Sequence, residues 1–116
     1  MDLELEKIMN FIKNIPDVVF EGNQPEFLYN LNLSSTANGA VVEIGTNVGK
    51  STISLAFAQK RLNGEPIYAV DIYEHPKIKQ NLQTAGISNF VKRINSPSIK
   101  LAKKWKKPIK LLFIDG

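Results

Sequence analysis

The sequence predicts an α/β fold in which helices cover both faces of a doubly wound parallel sheet. From residue 40 onward, four short apolar runs alternate with helical patterns. Strands that are apolar on both faces are typical of parallel sheets that are buried on both sides. A glycine-bounded turn follows the first run and an acid ends the second, which predicts a ligand site at the carboxyl edge of the sheet.

Two helices are predicted ahead of the sheet. Residues 3–15 place their apolar side chains near one helical stripe, and Pro16 ends that helix. Pro25, at a first helical position, begins a shorter helix through about Leu33. We therefore divide the chain into an N-terminal helical segment, residues 1–39, and a ligand-binding half domain, residues 40–116.

Within the half domain, strands and helices are predicted in strict alternation. Strands are expected at Ala40–Ile44, Ile67–Asp71, 90–94 and Ile109–Ile114. Helices are expected at Lys50–Leu62, 76–85 and 97–105, with Ile53, Ala56, Phe57 and Leu62 facing inward. Gly64 and Gly86 stop the first two helices, and Ser96 caps the third.

Composition limits the class of protein and its compartment. The 116 residues are 43% hydrophobic and 22% charged, as in a soluble globular domain. The absence of cysteine excludes disulfides and Cys-ligated metals. No apolar run approaches the roughly 18 residues of a membrane span, and the acidic start is not a secretory signal. We therefore expect a cytoplasmic protein with no membrane partner.

Charge is distributed unevenly along the chain. Residues 1–45 carry seven acids and two bases, whereas residues 46–116 carry four acids and thirteen bases. The eight bases from Lys92 to Lys110 could bind nucleic acid or form a solvated surface. Trp105 is the only aromatic residue among them, so no stacking platform is present. We favour the solvated surface and do not expect a nucleic-acid partner.

The fourth predicted strand is uninterruptedly apolar and leads directly into Asp115-Gly116. An apolar strand of this kind needs neighbours, because a long bare edge promotes aggregation. We therefore expect that the sheet is incomplete at its C-terminal side. The chain would be the N-terminal half of a larger domain or would be completed by another chain, a homo-oligomer being one such arrangement.

Three classes of cofactor compete for the turn between Gly45 and Gly49. A phosphate loop needs four residues between its glycines, whereas three are present, and Glu43 adds negative charge nearby. A dinucleotide fold needs a glycine where Asn47 stands. A cofactor that carries a sulfonium and an ammonium would instead be attracted by Glu43. We favour this third class and keep a phosphate-loop-like nucleotide-binding protein as the alternative.

The segment Glu43-Ile44-Gly45-Thr46-Asn47-Val48-Gly49-Lys50-Ser51-Thr52 resembles the first motif of class I S-adenosylmethionine-dependent methyltransferases. It is most similar to the small-molecule O-methyltransferase branch, with its Glu-Ile-Gly-x-x-x-Gly-x-Ser-Thr pattern, and the match in motif order covers residues 40–116. The resemblance implies a Rossmann-like sheet of strand order 3-2-1-4. It also implies transfer of a methyl group from S-adenosylmethionine to a hydroxyl of a small molecule or sugar.

The same resemblance implies a set of site residues. The methionine end of the cofactor would be held by the first motif, through Glu43, Gly45, Thr46, Asn47, Gly49 and Ser51. Asp71 would bind the ribose hydroxyls, Ile72 would pack on the adenine, and Asn95 and Ser96 would contact the adenine edge. Asp115 would lie at the methyl-transfer site as the catalytic residue and, as in catechol-type members, would be a ligand of magnesium.

Two further expectations concern activity. The methyl acceptor would be bound by segments that follow strand four in such enzymes, so the 116-residue chain by itself is expected to be inactive. A non-catalytic nucleoside-binding or interaction domain is therefore a second alternative. His75, the only histidine, is more simply explained as an exposed loop residue than as a catalytic base.

Overall fold

The structure is a computed structural model, and it describes residues 3–16 and 23–115. Two helices precede the sheet, α1 (Leu3–Asn14) and α2 (Gln24–Ser34). The strands are β1 (Ala40–Ile44), β2 (Ile67–Asp71), β3 (Val91–Asn95) and β4 (Ile109–Ile114). The helices between them are α3 (Lys50–Leu62), α4 (Ile78–Ala85) and α5 (Ser98–Ala102). The parts of the predicted segments at residues 1–2, 17–22 and 116 lie outside the described residues.

All four strands are parallel and are ordered β3-β2-β1-β4, which confirms the predicted sheet. Ile44 lies opposite Val70 on one side and Ile114 on the other, and Asp71 lies opposite Asn95. The carboxyl ends of all four strands therefore meet at one edge. Ligands of open α/β sheets bind outside this edge.

The main core lies on the face of the sheet that is covered by the first four helices. Helix α3 is buried from Lys50 to Gln59, because the sheet lies on one side of it and α2 packs on the other. Ile53, Ala56 and Phe57 point inward as predicted. The prediction for Leu62 is wrong: its side chain is 41% exposed, because it ends the helix where Asn63 turns the chain toward solvent.

The second face of the sheet is only partly covered. Tyr68 on β2 packs edge-on against Trp105, with ring centroids 5.0 Å apart. Beside them an apolar groove of about 230 Å³ extends to Leu112. Leu112 and Ile114 on β4 are exposed. Coverage of β4 by a further segment or chain stays a prediction.

Three element boundaries differ from the sequence predictions. The helix expected at 76–85 begins only at Ile78, because the Lys77 N–H donates to Nδ1 of His75 and forms a turn there. The strand expected at 90–94 begins at Val91, since a 3₁₀ turn occupies Ser88–Phe90. The helix expected at 97–105 is only five residues long, Ser98–Ala102.

None of the helices described in 3–16 and 23–115 is long and apolar enough to cross a membrane.

Gly39, just before β1, is predicted to contribute to stability because no side chain fits there. It has φ +131°, and a Cβ there would lie 2.5 Å from the carbonyl oxygen of Pro108. Gly86 also has a positive φ, +74°, but a Cβ there would meet nothing within 4 Å. Both alanine variants are strained because they place a Cβ on backbone with a positive φ. Only Gly39→Ala also requires the backbone at Pro108 to move. We expect Gly39→Ala to be less stable than Gly86→Ala by about 2 kcal/mol in urea denaturation, and equal losses would contradict this.

Candidate functional site

The glycine turn connects β1 to α3 and is built on left-handed backbone. Gly45 has φ 89°, Asn47 has φ 48° and Gly49 has φ 101°. Asparagine is one of the few residues besides glycine that adopt this conformation readily. Gly49 is also the N-cap residue of α3, and a Cβ there would lie 3.3 Å from Cγ1 of Ile78. The turn is therefore compact and close to α4.

Three backbone N–H groups of the turn, those of Gly45, Thr46 and Gly49, have acceptors inside the protein. The Gly45 N–H donates to the Val70 carbonyl at 2.8 Å, and the Gly49 N–H donates to the Thr46 carbonyl at 3.0 Å. The Thr46 N–H donates to Oδ2 of Asp71 at 2.8 Å. A phosphate loop leaves such N–H groups available to cradle phosphate oxygens. These three N–H groups are therefore not available to the oxygens of a triphosphate.

Glu43 on β1 is fully buried beneath the turn. Its carboxyl group accepts hydrogen bonds from the Ser51 hydroxyl and, at 2.5 Å, from Oγ1 of Thr52. Burial raises the pKa of Glu43 to about 8, although these two hydrogen bonds act in the opposite direction. Ser51 and Thr52, in the first turn of α3, thus hold the Glu43 carboxyl group in place. Because its pKa is close to neutral pH, a nearby charge can change its ionisation.

Asp71 ends β2 beside the turn. Its Oδ2 accepts the Thr46 N–H and, at 3.3 Å, the Thr46 hydroxyl, while Oδ1 accepts the Tyr73 N–H at 3.1 Å. Partial burial alone would raise the pKa of Asp71, but the hydrogen bonds outweigh it and the pKa is lowered. Asp71 therefore carries a full negative charge at neutral pH and is held at the edge of the sheet.

Asp115 follows β4, and its N–H donates to the Ile44 carbonyl at 2.8 Å. The charges of Asp115 and Asp71 both contribute to raising the pKa of Glu43, so the three acids act on one region of the edge. Among the residues that the structure describes, no group of three or more histidine, cysteine or acidic side chains is arranged to hold a metal ion. Asp115 by itself does not make a metal site.

The residues predicted at the adenine end lie along the same edge, after β2 and β3. The Ile72 side chain is 70% exposed. The Ser96 N–H donates to the Asp71 carbonyl at 3.1 Å. The Asn95 amide, oriented with its nitrogen inward, donates to the carbonyls of Asp71 at 3.3 Å and Ile72 at 3.1 Å. Asn95 thus contacts the backbone of two predicted site residues, Asp71 and Ile72.

Sequence reasoning missed three contributors to this site. The hydroxyl of Thr52 binds Glu43, and its place in the Ser51-Thr52 pair of the motif could have indicated this. The Tyr73 N–H binds Asp71. Nδ2 of Asn81 donates to the Val48 carbonyl at 2.9 Å and ties the turn to α4. The Tyr73 contact is a local turn, in which the Asp71 side chain accepts a backbone N–H two residues later, as aspartate often does. The Asn81 contact depends on tertiary packing and has no pattern in the sequence.

A doubly wound parallel sheet with an acid-flanked glycine turn at its carboxyl edge defines the class as a Rossmann-like domain. A family described as "Methyltransferase domain" matches residues 42–116 of this chain. The chain belongs to that methyltransferase-domain family, which confirms the resemblance found in the sequence.

Solved structures agree with this assignment. The chain is 27% identical to cofactor-bound Rv0187 from MTB, with a TM-score of 0.70 over 100% of this chain and 54% of that one. The O-methyltransferase TomG from Streptomyces achromogenes, solved in complex with SAM, is 22% identical with a TM-score of 0.73 over the same shares. A putative O-methyltransferase from Klebsiella pneumoniae is 24% identical with a TM-score of 0.71, again over the same shares. The chain spans about half the length of these proteins.

Proposed function

We propose that the protein is an S-adenosylmethionine-dependent methyltransferase that acts on a hydroxyl of a small molecule or sugar. One observation carries the proposal: the glycine turn donates three of its N–H groups to acceptors inside the protein and lies beside the carboxyl groups of Glu43, Asp71 and Asp115. Such a site disfavours phosphates and favours a cationic ligand. Family membership and the SAM-bound state of TomG support this choice over a phosphate-loop nucleotide-binding protein.

The methionine end of the cofactor is proposed to lie at the turn, over Gly45, Thr46, Asn47 and Gly49, with Glu43 and Ser51 beneath it. Glu43 is enclosed by Ser51 and Thr52, and its pKa of about 8 leaves it mostly protonated at neutral pH in the free protein, so its negative charge would develop when the ligand binds. A positive ligand near Glu43 would favour its ionised form and lower its pKa. We therefore propose that Glu43 is an electrostatic partner of the ligand rather than an exposed hydrogen-bond acceptor.

The nucleoside end is proposed to follow the edge from β2 to β3. Asp71 would accept the two ribose hydroxyls, one on each oxygen, once the first of them displaces the Thr46 hydroxyl, which lies 3.3 Å from Oδ2. Ile72, exposed next to it, would pack on the adenine, and Ser96 would lie at the adenine edge. Asn95 would act on the adenine through the backbone of residues 71 and 72.

The chemistry that the cofactor supplies is an electrophilic methyl group on sulfur. Displacement of that methyl group depends on an aligned donor and acceptor at near-attack distance. Asp115 lies at the end of β4, next to the turn, and is proposed to orient the acceptor hydroxyl or to accept its proton. A divalent metal at Asp115 stays a prediction, and no step is assigned to it. The chain spans about half the length of these relatives, and the acceptor site and the activity of the whole protein stay proposals. A cytoplasmic location and a homo-oligomer likewise stay proposals.

The test is formation of S-adenosylhomocysteine by the full-length protein, given S-adenosylmethionine and a panel of hydroxylated small molecules and sugars. We expect turnover with at least one acceptor, and a strong loss of rate in Asp115→Asn with little change in cofactor affinity. Cofactor binding without turnover on any acceptor would favour the non-catalytic alternative. Turnover that Asp115→Asn leaves unchanged would remove Asp115 from the mechanism.

A further inference from the structure

The loop between β2 and α4 presents two large side chains to solvent in a well-defined position. Ile72 is 70% exposed and Tyr73 is 61% exposed. Exposed apolar side chains on a loop usually gain by folding back onto the protein. In this loop they remain exposed while the backbone that carries them is tied at several points.

Residues of β3 supply two of these ties. Asn95, the last residue of the strand, donates its amide hydrogens to the carbonyls of Asp71 and Ile72 at 3.3 and 3.1 Å. Arg93, two residues earlier, forms an ion pair with Glu74 on the far side of Tyr73. Since alternate residues of a strand share a face, Arg93 and Asn95 act from the same side of the sheet. Together they hold both ends of the 72–74 segment, and we call them the β3 brace.

A small cavity next to this loop is lined both by the β3 brace and by residues of the proposed ligand site. Its volume is about 30 Å³, and its lining includes Thr46 and Asp71 of the proposed site together with Glu74, Arg93 and Asn95. The Arg93 and Glu74 side chains are 33% and 59% exposed. Exposed ion pairs of this kind contribute little to global stability. Such a pair can still fix the position of the loop locally.

We propose that Arg93 and Asn95 are positioning residues that hold Ile72 and Tyr73 ready to pack against the flat ring of a nucleoside. Ligand affinity increases when the binding surface is ordered in advance, because less conformational entropy is lost on binding. The proposal rests on the proposed function, since it takes S-adenosylmethionine as the ligand. It adds that the ion pair Arg93–Glu74, which does not itself touch the ligand, sets the affinity for the nucleoside end.

A charge-swap series on the full-length protein tests the proposal. We expect Arg93→Glu and Glu74→Arg each to weaken S-adenosylmethionine binding about tenfold in calorimetric titration, because each places like charges together. The double variant, with the charges exchanged, should restore affinity to within about twofold of the wild type. Methylthioadenosine, which lacks the amino-acid end, should lose affinity by the same factor as S-adenosylmethionine. Lys107→Glu breaks the ion pair with Glu65 at the other end of β2 and serves as the control for a change of charge.

Each outcome has a definite meaning. Single variants that bind like the wild type, or a double variant that stays weak, would overturn the brace while leaving the proposed function intact. Loss of affinity for S-adenosylmethionine but not for methylthioadenosine would also overturn it, because the effect would then lie at the methionine end. A wild-type protein that binds neither ligand would contradict the proposed function and the brace together. Melting temperatures of the single variants should stay close to that of the wild type.

Discussion

Replacing Asp71 by asparagine is expected to lower the affinity for S-adenosylmethionine by about 100-fold. Hydrogen bonds to a charged group contribute about 1.5–3 kcal/mol each, and about 2.7 kcal/mol corresponds to 100-fold. The variant would lose the charge that the ribose hydroxyls and the Thr46 N–H both use. Calorimetric titration of the full-length protein measures the change.

Glu65→Gln is the matched control for this prediction. Glu65 lies just before β2, so the control applies the same carboxylate-to-amide change at the opposite end of the strand that Asp71 terminates. We expect its affinity to match that of the wild type. If Asp71→Asn also binds like the wild type, Asp71 does not bind the ribose, and the assignment of the nucleoside end is wrong.

Replacing Glu43 by glutamine is expected to remove most of a pH dependence of folding stability. The pKa of Glu43 is raised from 4.5 to about 8 in the folded protein, so the folded state holds a proton that the unfolded chain releases earlier. Stability from this group is therefore fully present below about pH 4.5 and is lost as the pH rises through about 8. The slope approaches about 1.4 kcal/mol per pH unit inside that window. Glutamine has nearly the shape of the protonated acid and does not titrate.

Urea denaturation of the wild type and of Glu43→Gln from pH 5 to pH 9 measures this effect. The free energy of unfolding of the wild type should fall across the window, and that of Glu43→Gln should fall much less. The lowered pKa of Asp71 contributes stability that is lost only as the pH falls below its ordinary value of 3.8, outside this window. Glu6→Gln, on an exposed position of α1, is the control. Parallel curves for the wild type and Glu43→Gln would show that Glu43 is already ionised in the folded protein.

The strands and α3 could be predicted because their signals are local, whereas the order of the sheet was implied by the family resemblance. Alternation of apolar runs with helices predicts a parallel sheet, and the glycines predict where β1 turns into α3. The bounds of β1, α3, β2 and β4 agree with the sequence predictions. Helix α4 begins late because the turn at His75 depends on a side-chain nitrogen, which no hydrophobic period reveals.

The chemical types in the site could also be predicted, but not how the side chains pair. An acid at Glu43 was expected at the methionine end, yet its complete enclosure by Ser51 and Thr52 follows only from how α3 packs on β1. Asn95 was expected at the adenine edge, whereas its amide binds the backbone of residues 71 and 72. Such pairings join residues that are distant in sequence. They require the register of the sheet before they can be seen.

The most direct test of the central claim is calorimetric titration of the full-length protein with S-adenosylmethionine, ATP with magnesium, and NAD, under identical conditions. The carboxyl groups around a turn that donates three of its N–H groups inside the protein predict binding of S-adenosylmethionine, with ATP and NAD at least 100-fold weaker. Tight, magnesium-dependent binding of ATP, with no binding of S-adenosylmethionine, would contradict the account.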